Sequence, residues 1–316
     1  MTTPRLRIVV AINPSASFGK SSGVGPSAVA RLTQLGHDVT ALREPDFASL
    51  LAAGKAAAAT RPDAFIVVGG DGMVNLGANL LAETGVPFGI LPSGTGNDMA
   101  RALGIPHDDP EAALAVLVEA LSRPPLEIDA GLITHVDDKT GLEKQTWFAC
   151  MISAGFDALA NERANKMRWP KGPRRYLIAL AVELLRLKPI QYRIELDGEK
   201  MTTGGTLISV GNGVSLGGGM KVTPDAMFDD GLFDVLVVQP LSRTAFLRIF
   251  PRVYKGEHLT DPRVKVYRAA HVRLDADNVV AYGDGERLGP LPIDIQLVSG
   301  ALLMLAPQPE TLLKPL

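Results

Sequence analysis

The 316 residues are 46% hydrophobic and 21% charged, enough apolar material for real cores and too much for a disordered polymer. Lys and Arg number 32 against 34 Asp and Glu, and this near-neutral balance argues against nucleic acid as a partner. A single cysteine, Cys150, excludes an internal disulfide framework or a cysteine zinc site, and no apolar run reaches the roughly 18 residues of a membrane span.

The length suggests two domains. Over the first 122 residues strand and helix patterns alternate. Leu6 to Ile12 reads as a strand ending at Asn13-Pro14, and Val24 to Leu35 as a helix stopped by Gly36. Strand Val39 to Leu42 and the alanine-rich helix Phe47 to Ala59 follow. Ala64 to Val68 is a continuous apolar strand that runs into Gly69-Gly70-Asp71-Gly72. Helix Met73 to Leu81, strand Phe88 to Leu91, and helices Met99 to Leu103 and Ala112 to Leu121 complete the series. Such alternation predicts a doubly wound α/β domain with a mostly parallel sheet, residues 1–125. After Pro124-Pro125 short strands predominate: Leu126 to Val136, Thr146 to Ser153, Tyr192 to Leu196, Thr206 to Val210, Phe233 to Val238, Val264 to Tyr267, His271 to Leu274 and Ile293 to Val298. With one helix at Tyr176 to Leu187, they predict an all-β, sandwich-like second domain over 126–306, and the tail, 307–316, is expected to return to the first domain.

Three loops of small residues follow predicted strands. Asn13-Pro14-Ser15-Ala16-Ser17-Phe18-Gly19-Lys20-Ser21 ends like a P-loop, but Pro14 stands where the opening glycine is required. It is a nucleotide-wrapping candidate with Lys20 near a phosphate, or a plain β-to-α loop. Gly69-Gly70-Asp71-Gly72-Met73-Val74-Asn75 is stronger. Its glycines let backbone N–H groups approach an anion, and a helix start adds its positive end. Asp71 among phosphate-binding amides implies a cation or a proton in transfer, or else an ordinary helix cap. Ser93-Gly94-Thr95-Gly96-Asn97-Asp98 repeats the arrangement, with the Thr95 hydroxyl as a further phosphate donor. Loops at neighbouring strand ends share the ligand crevice of an open α/β sheet.

Gly69-Gly70-Asp71-Gly72 together with Gly94-Thr95-Gly96-Asn97-Asp98-Met99-Ala100-Arg101 resembles the bacterial diacylglycerol kinase and lipid kinase family, whose relatives include sphingosine, ceramide and, more distantly, NAD kinases. The resemblance continues through Asn212-Gly213, Gly217-Gly218-Gly219, Pro224 to Asp234 and Asp284-Gly285-Glu286. It implies an NAD-kinase-like first domain that holds ATP and a lipid acceptor delivered between the domains. It carries nucleotide binding to Asn13 through Ser17, Gly69 through Asn75 and Thr95, and a structural Mg²⁺ to Asp230 with backbone oxygens near Met227 and Leu232. The proton acceptor matches Glu286, or Asp71 on the sphingosine kinase pattern. Without the resemblance, Asp229-Asp230-Gly231 is a plain turn and Asp284-Gly285-Glu286 a hairpin turn. Met73 departs from the Thr that many bacterial members carry.

Between Asn161 and Ile190 lie eight basic residues (Arg163, Lys166, Arg168, Lys171, Arg174, Arg175, Arg186, Lys188) against two acidic ones, with Trp169 among them. This is either a docking face for the inner membrane leaflet or a solvated helix face. The five histidines lack zinc spacing, Cys150 reads as an inert core thiol, and no serine sits in a hydrolase elbow. The expectation is a cytoplasmic, peripherally membrane-associated kinase, with a homodimer as a further option. It uses ATP and Mg²⁺ and has a lipid hydroxyl as acceptor, most simply diacylglycerol. A sphingoid lipid kinase, an NAD kinase and a non-catalytic nucleotide-binding regulator are the alternatives.

Overall fold

The computed structural model describes residues 4–14, 23–138, 140–167, 169 and 173–308, with the side chains of 173, 174, 176 and 177 set aside. The chain forms two compact units, one reaching to Ala130 and resuming at Ser299, the other spanning Gly131–Val298. The sequence pattern places these divisions near 125 and 306. They fall instead within the long strands β5 (Leu126–Val136) and β18 (Ile293–Leu305), so a change in strand grammar does not mark them.

The first unit runs β1 (Arg7–Ile12), α1 (Val24–Gln34), β2 (Asp38–Leu42), α2 (Phe47–Ala59), β3 (Ala64–Gly69), α3 (Asp71–Leu81), β4 (Pro87–Pro92), α4 (Asp98–Ala102) and α5 (Pro110–Ala120). Its sheet is parallel in the order β2-β1-β3-β4, with the last residues of β18 parallel beside β4. Every residue of β3 is buried, as a continuous apolar run requires when helices cover both faces. Side-chain caps explain two helix starts: Asp46 accepts from Ser49 N (2.8 Å), and Asp109 accepts from Glu111 and Ala112 N ahead of Pro110. Winding reverses at β1, with β2 on one side and β3 on the other. The C-terminal ends of β1 and β3 therefore flank the topological switch point, where open α/β sheets bind ligands.

The second unit continues β6 (Glu143–Phe148), β7 (Met151–Gly155), α6 (Phe156–Lys166), α7 (Pro173–Leu185), β8 (Ile190–Leu196), β9 (Glu199–Gly205), β10 (Leu207–Gly211), the short pair β11 (Ser215–Leu216) and β12 (Met220–Lys221), and β13 (Phe233–Val238). Next come α8 (Arg243–Ile249), 3-10 turns at Phe250–Lys255 and Glu257–Thr260, β14 (Val264–Ala269), β15 (His271–Ala276), β16 (Val280–Gly283) and β17 (Glu286–Pro290). One antiparallel sheet has the order β14-β13-β10-β7-β16-β17, and β9, β8, β15 and β18 form antiparallel neighbours in the other. Their facing side chains make one core, in which Phe148 stacks on Phe233 (5.5 Å) and Tyr192, fully buried, donates its hydroxyl to Ala154 O (3.0 Å). Three helices decorate this sandwich where one was expected. The predicted strand Thr146 to Ser153 is two strands, interrupted at Ala149-Cys150.

Candidate active site

Asn13-Pro14 and the two glycine loops of the first unit follow the C-terminal ends of the neighbouring strands β1, β3 and β4. Asn13 N donates to Val68 O (3.0 Å) and Ser93 N to Gly69 O (2.9 Å), so the strand ladders extend into the loops. Gly70 and Gly94 then pass backbone against backbone. A Cβ on Gly94 would lie 2.4 Å from Gly70 Cα, and one on Gly70 would lie 3.0 Å from Gly94 Cα. No side chain fits at Gly94, and one at Gly70 would press on the Gly94 backbone, which is the physical reason for glycine in both motifs.

Asp71 ties the second loop to the third. Its Oδ1 accepts from Asp98 N (2.8 Å) and its Oδ2 from Asn97 N (3.1 Å) at the start of α4. Asn97 takes the left-handed conformation (φ 51°), and its side chain folds back to bond both Gly94 N and Gly94 O at 3.0 Å. Burial pushes the Asp71 carboxyl above the usual carboxylate range and nearby Asp98 adds to the rise; the two backbone N–H donors pull the other way. A carboxylate of raised proton affinity at a ligand edge is suited to accept a proton. The start of α3 has no side-chain cap, leaving that positive helix end to a ligand.

The other nucleotide candidates divide. Thr95 is exposed at the loop tip, whereas Ser93 Oγ is buried without a partner. Met73 and Val74 are buried in the core, and Met73 N is bonded to Gly70 O (2.9 Å), so neither side chain presents itself to a phosphate. The departure from Thr therefore falls at a buried position. Asn75 is bonded along its own helix to Asn79. Ser15, Ala16, Ser17 and Lys20 lie outside the described residues.

In the second unit, Asp284, Asn212 and Gly213 converge on the strand break at Ala149-Cys150. The Asp284 carboxylate accepts from Ala149 N (2.7 Å), Cys150 N (3.0 Å) and Met151 N (2.9 Å). Asn212 Nδ2 donates to Ala149 O (2.8 Å), and Asn212 N and Gly213 N donate to Cys150 O. This is why β6 and β7 do not merge: the peptide groups between them are claimed from elsewhere. Asp284 (φ 46°) and Gly285 (φ 82°) make the tight turn between β16 and β17, leaving Glu286 exposed at the head of β17. The adjoining Arg287 pairs with Asp138 and, at 2.9 Å, with Glu162 of α6, which also accepts from Tyr282 Oη (2.9 Å). Burial opposes ionisation of Glu162, but bonds from Lys166, Arg287 and Tyr282 hold its carboxyl at about 2. Neither this brace nor the Asp284 anchor is legible in the sequence; an acid beside glycine in a hairpin is the only hint.

The acidic turn holds Asp230 differently from a bare metal ligand. Its Oδ1 accepts from Leu232 N (3.1 Å) and its Oδ2 is ion-paired with Arg268, which also approaches the buried Asp234 at 3.8 Å. Burial raises the Asp234 carboxyl and Arg268 counteracts it. Met227 is half exposed nearby in sequence. Among the described residues no cluster of three or more acidic, His or Cys side chains is arranged to hold a metal.

Two family models match. The Diacylglycerol kinase catalytic domain covers residues 7–128, and the YegS C-terminal NAD kinase beta sandwich-like domain covers 150–306. A diacylglycerol kinase of Mycobacterium tuberculosis is 39% identical over 303 residues, 96% of each chain. One of Bacillus subtilis is 30% identical over 244 residues, 76% of each chain. A solved diacylglycerol kinase structure from Bacillus anthracis shares the fold at a TM-score of 0.71 and 22% identity, covering 98% of this chain and 99% of that one.

Proposed function

Because the chain belongs to the diacylglycerol kinase family, we propose that it transfers the γ-phosphate of ATP to the hydroxyl of a membrane lipid, diacylglycerol, to give phosphatidic acid. The observation that carries this reading is the pair of interlocked glycine loops, closed by Asp71 at the switch-point edge of a parallel sheet. Phosphoryl transfer asks a protein mainly for in-line placement and for donors to the equatorial oxygens. Backbone N–H groups at Gly70, Gly72, Thr95 and Gly96 are the proposed cradle for the phosphates, whereas those of Met73, Val74, Gly94, Asn97 and Asp98 already donate within the protein and hold the two loops in shape. Asn13 and Pro14 with Ser15, Ala16, Ser17 and Lys20 wall the nucleotide, and the Thr95 hydroxyl serves a phosphate oxygen.

In the chemical step the acceptor oxygen bonds to the γ-phosphorus as the bond to the bridging oxygen breaks and ADP leaves. The acceptor's proton passes to a carboxylate. Asp71, with raised proton affinity, and Glu286, held out on a braced turn, are the two candidates. Asp284 positions the second by pinning its turn.

Magnesium belongs to this reading as the partner of the ATP phosphates, where it offsets charge. The turn at Asp230, with backbone oxygens of Met227 and Leu232, does not fit a resident ion as it stands, because the Arg268 guanidinium already neutralises its carboxylate. In this reading the acceptor lies in the membrane and the enzyme reaches it peripherally, from the cytoplasmic face; among the described residues no helix is long and apolar enough to cross a membrane.

The test is ADP release with diacylglycerol, monoacylglycerol, sphingosine, ceramide, undecaprenol and NAD offered in turn. Diacylglycerol is expected to give the highest kcat/KM, and Asp71→Asn or Glu286→Gln to remove turnover. ADP release with NAD alone, or ATP binding without acceptor-dependent release, would overturn the reading.

A further inference from the structure

Residues Arg243 to Lys255 contain four basic side chains and no acidic one. They form α8 and the 3-10 turn that continues it. The inner side is firmly seated: Ala245, Phe246 and Ile249 are buried, and Phe246 packs on Phe156 (4.5 Å) and Phe250 (5.4 Å). Phe250 in turn meets Tyr254 edge-on at 6.4 Å. The outer side carries Leu247, 59% exposed, and, two helical turns on, Tyr254, 51% exposed. The end of α7, with Leu185 68% exposed, is tied to the head of α8, where the Arg243 guanidinium donates to the Leu184 and Leu185 carbonyls.

Single exposed apolar residues are ordinary. Here three large ones stand within three residues in sequence of cations that make no ion pair among the described residues: Arg186, Lys188, Arg248 and Lys255. By contrast, two cations of the basic stretch noted in the sequence are spent internally, Arg163 on Glu183 and Lys166 on Glu162.

We propose that this outward stripe of α8 and its 3-10 extension, with the end of α7, is the surface by which the protein seats on an anionic phospholipid bilayer. The inference rests on the lipid-kinase reading for its biological sense, but on the patch itself for its chemistry. Leucine and tyrosine suit the boundary between headgroups and acyl chains, tyrosine with its hydroxyl at the wet side. Each basic residue brought to an anionic leaflet strengthens partitioning roughly fivefold. A protein partner is the weaker fit, because interface cores are depleted of the lysine that this stripe carries.

Co-sedimentation of the full chain with phosphatidylglycerol-containing vesicles and with pure phosphatidylcholine vesicles tests the proposal. Wild type is expected to prefer the anionic vesicles and to be partly released by salt. Leu247→Ser with Tyr254→Ser, and separately Arg248→Glu with Lys255→Glu, should each weaken that binding roughly tenfold or more. Both pairs should melt like wild type and keep its turnover on a short-chain, water-soluble diacylglycerol. Wild-type vesicle binding by both variants would overturn the proposal. So would sedimentation velocity in which the variants convert a dimer to a monomer without changing vesicle binding, since the face would then be a contact between copies. Loss of turnover on every acceptor by wild type would refute the kinase reading instead, and the vesicle result would stand apart from it.

Discussion

Replacing Gly94 by Ala is the sharpest test of the interlocked loops. The new methyl group would sit 2.4 Å from Gly70 Cα, 3.0 Å from Asn97 Oδ1 and 3.1 Å from Gly70 N. The nearest obstacle is backbone and cannot swing aside, so the loops must separate by at least about 1 Å to regain van der Waals contact. Overpacking of this kind costs about 1–3 kcal/mol. Separation also stretches the bonds from Asn97 N and Asp98 N to the Asp71 carboxylate, each worth about 1.5–3 kcal/mol as hydrogen bonds to a charged group. A net loss near 3 kcal/mol lowers Tm by roughly 5 °C in a chain of 316 residues. Displacing a catalytic constellation by about 1 Å lowers turnover on the order of a hundredfold. Differential scanning calorimetry and an ADP-release assay read both effects. Gly23→Ala is the control, because Gly23 has φ −84° and its new methyl group would meet none of the described residues within 4 Å. Wild-type Tm and turnover for Gly94→Ala would refute the argument that backbone contact between the loops builds the site.

Asp284→Asn should leave one of the three N–H donors at Ala149 to Met151 facing an amide NH₂, costing about 1–3 kcal/mol, while the left-handed conformation at 284 stays acceptable to Asn. A fall in kcat larger than any change in the ATP KM, with a lower Tm, is expected; unchanged Tm would refute the anchoring role. Arg268→Ala strips the counter-charge from Asp230 and buried Asp234, and Mg²⁺ should raise the Tm of the variant but not of wild type. Equal responses in calorimetry would show that the turn gives no place to a cation. His258 and His135 are buried, and burial first of all lowers both pKa values, with Arg252 and Lys144 respectively adding to it. Their folded forms bind protons less readily than an unfolded histidine of pKa about 6.5, so this stability is full above about 7.5 and is lost as pH falls through 6.5 toward the lowered values. The raised carboxyls of Asp71 and Asp234 act with the opposite sign at lower pH. Tm should therefore fall between about pH 7.5 and 6, less so in His258→Gln, and a flat profile would refute it.

Local periodicity carries most of the first unit. Phe47–Ala59 is legible to the residue because an acidic cap and an alanine run agree there, and the one interior glycine, Gly54, sits against Leu80. The same agreement places the glycine loops at strand ends. Features decided by distant partners are not legible. The break at Ala149-Cys150 depends on a carboxylate at 284, and without it Thr146 to Ser153 reads as one apolar strand. α6 has only small alanines on most of its buried side, a faint periodic signal, and α8 is too short to show one. The inward direction of Met73 follows from where α3 leaves Gly70, which no spacing rule reveals. Likewise the ion pair at Asp230 needs Arg268, which lies on another strand.

The three bonds from Ala149 to Met151 into Asp284 join residues 133 to 135 positions apart. On the ribosome, residues 143–155 are synthesised long before residue 284, so the peptide groups at Ala149 to Met151 have no Asp284 carboxylate to donate to until late. Closing so large a loop is slow and entropically costly. The protruding Glu286 is thus fixed only when translation is nearly complete, and a prematurely ended chain lacks that carboxylate altogether.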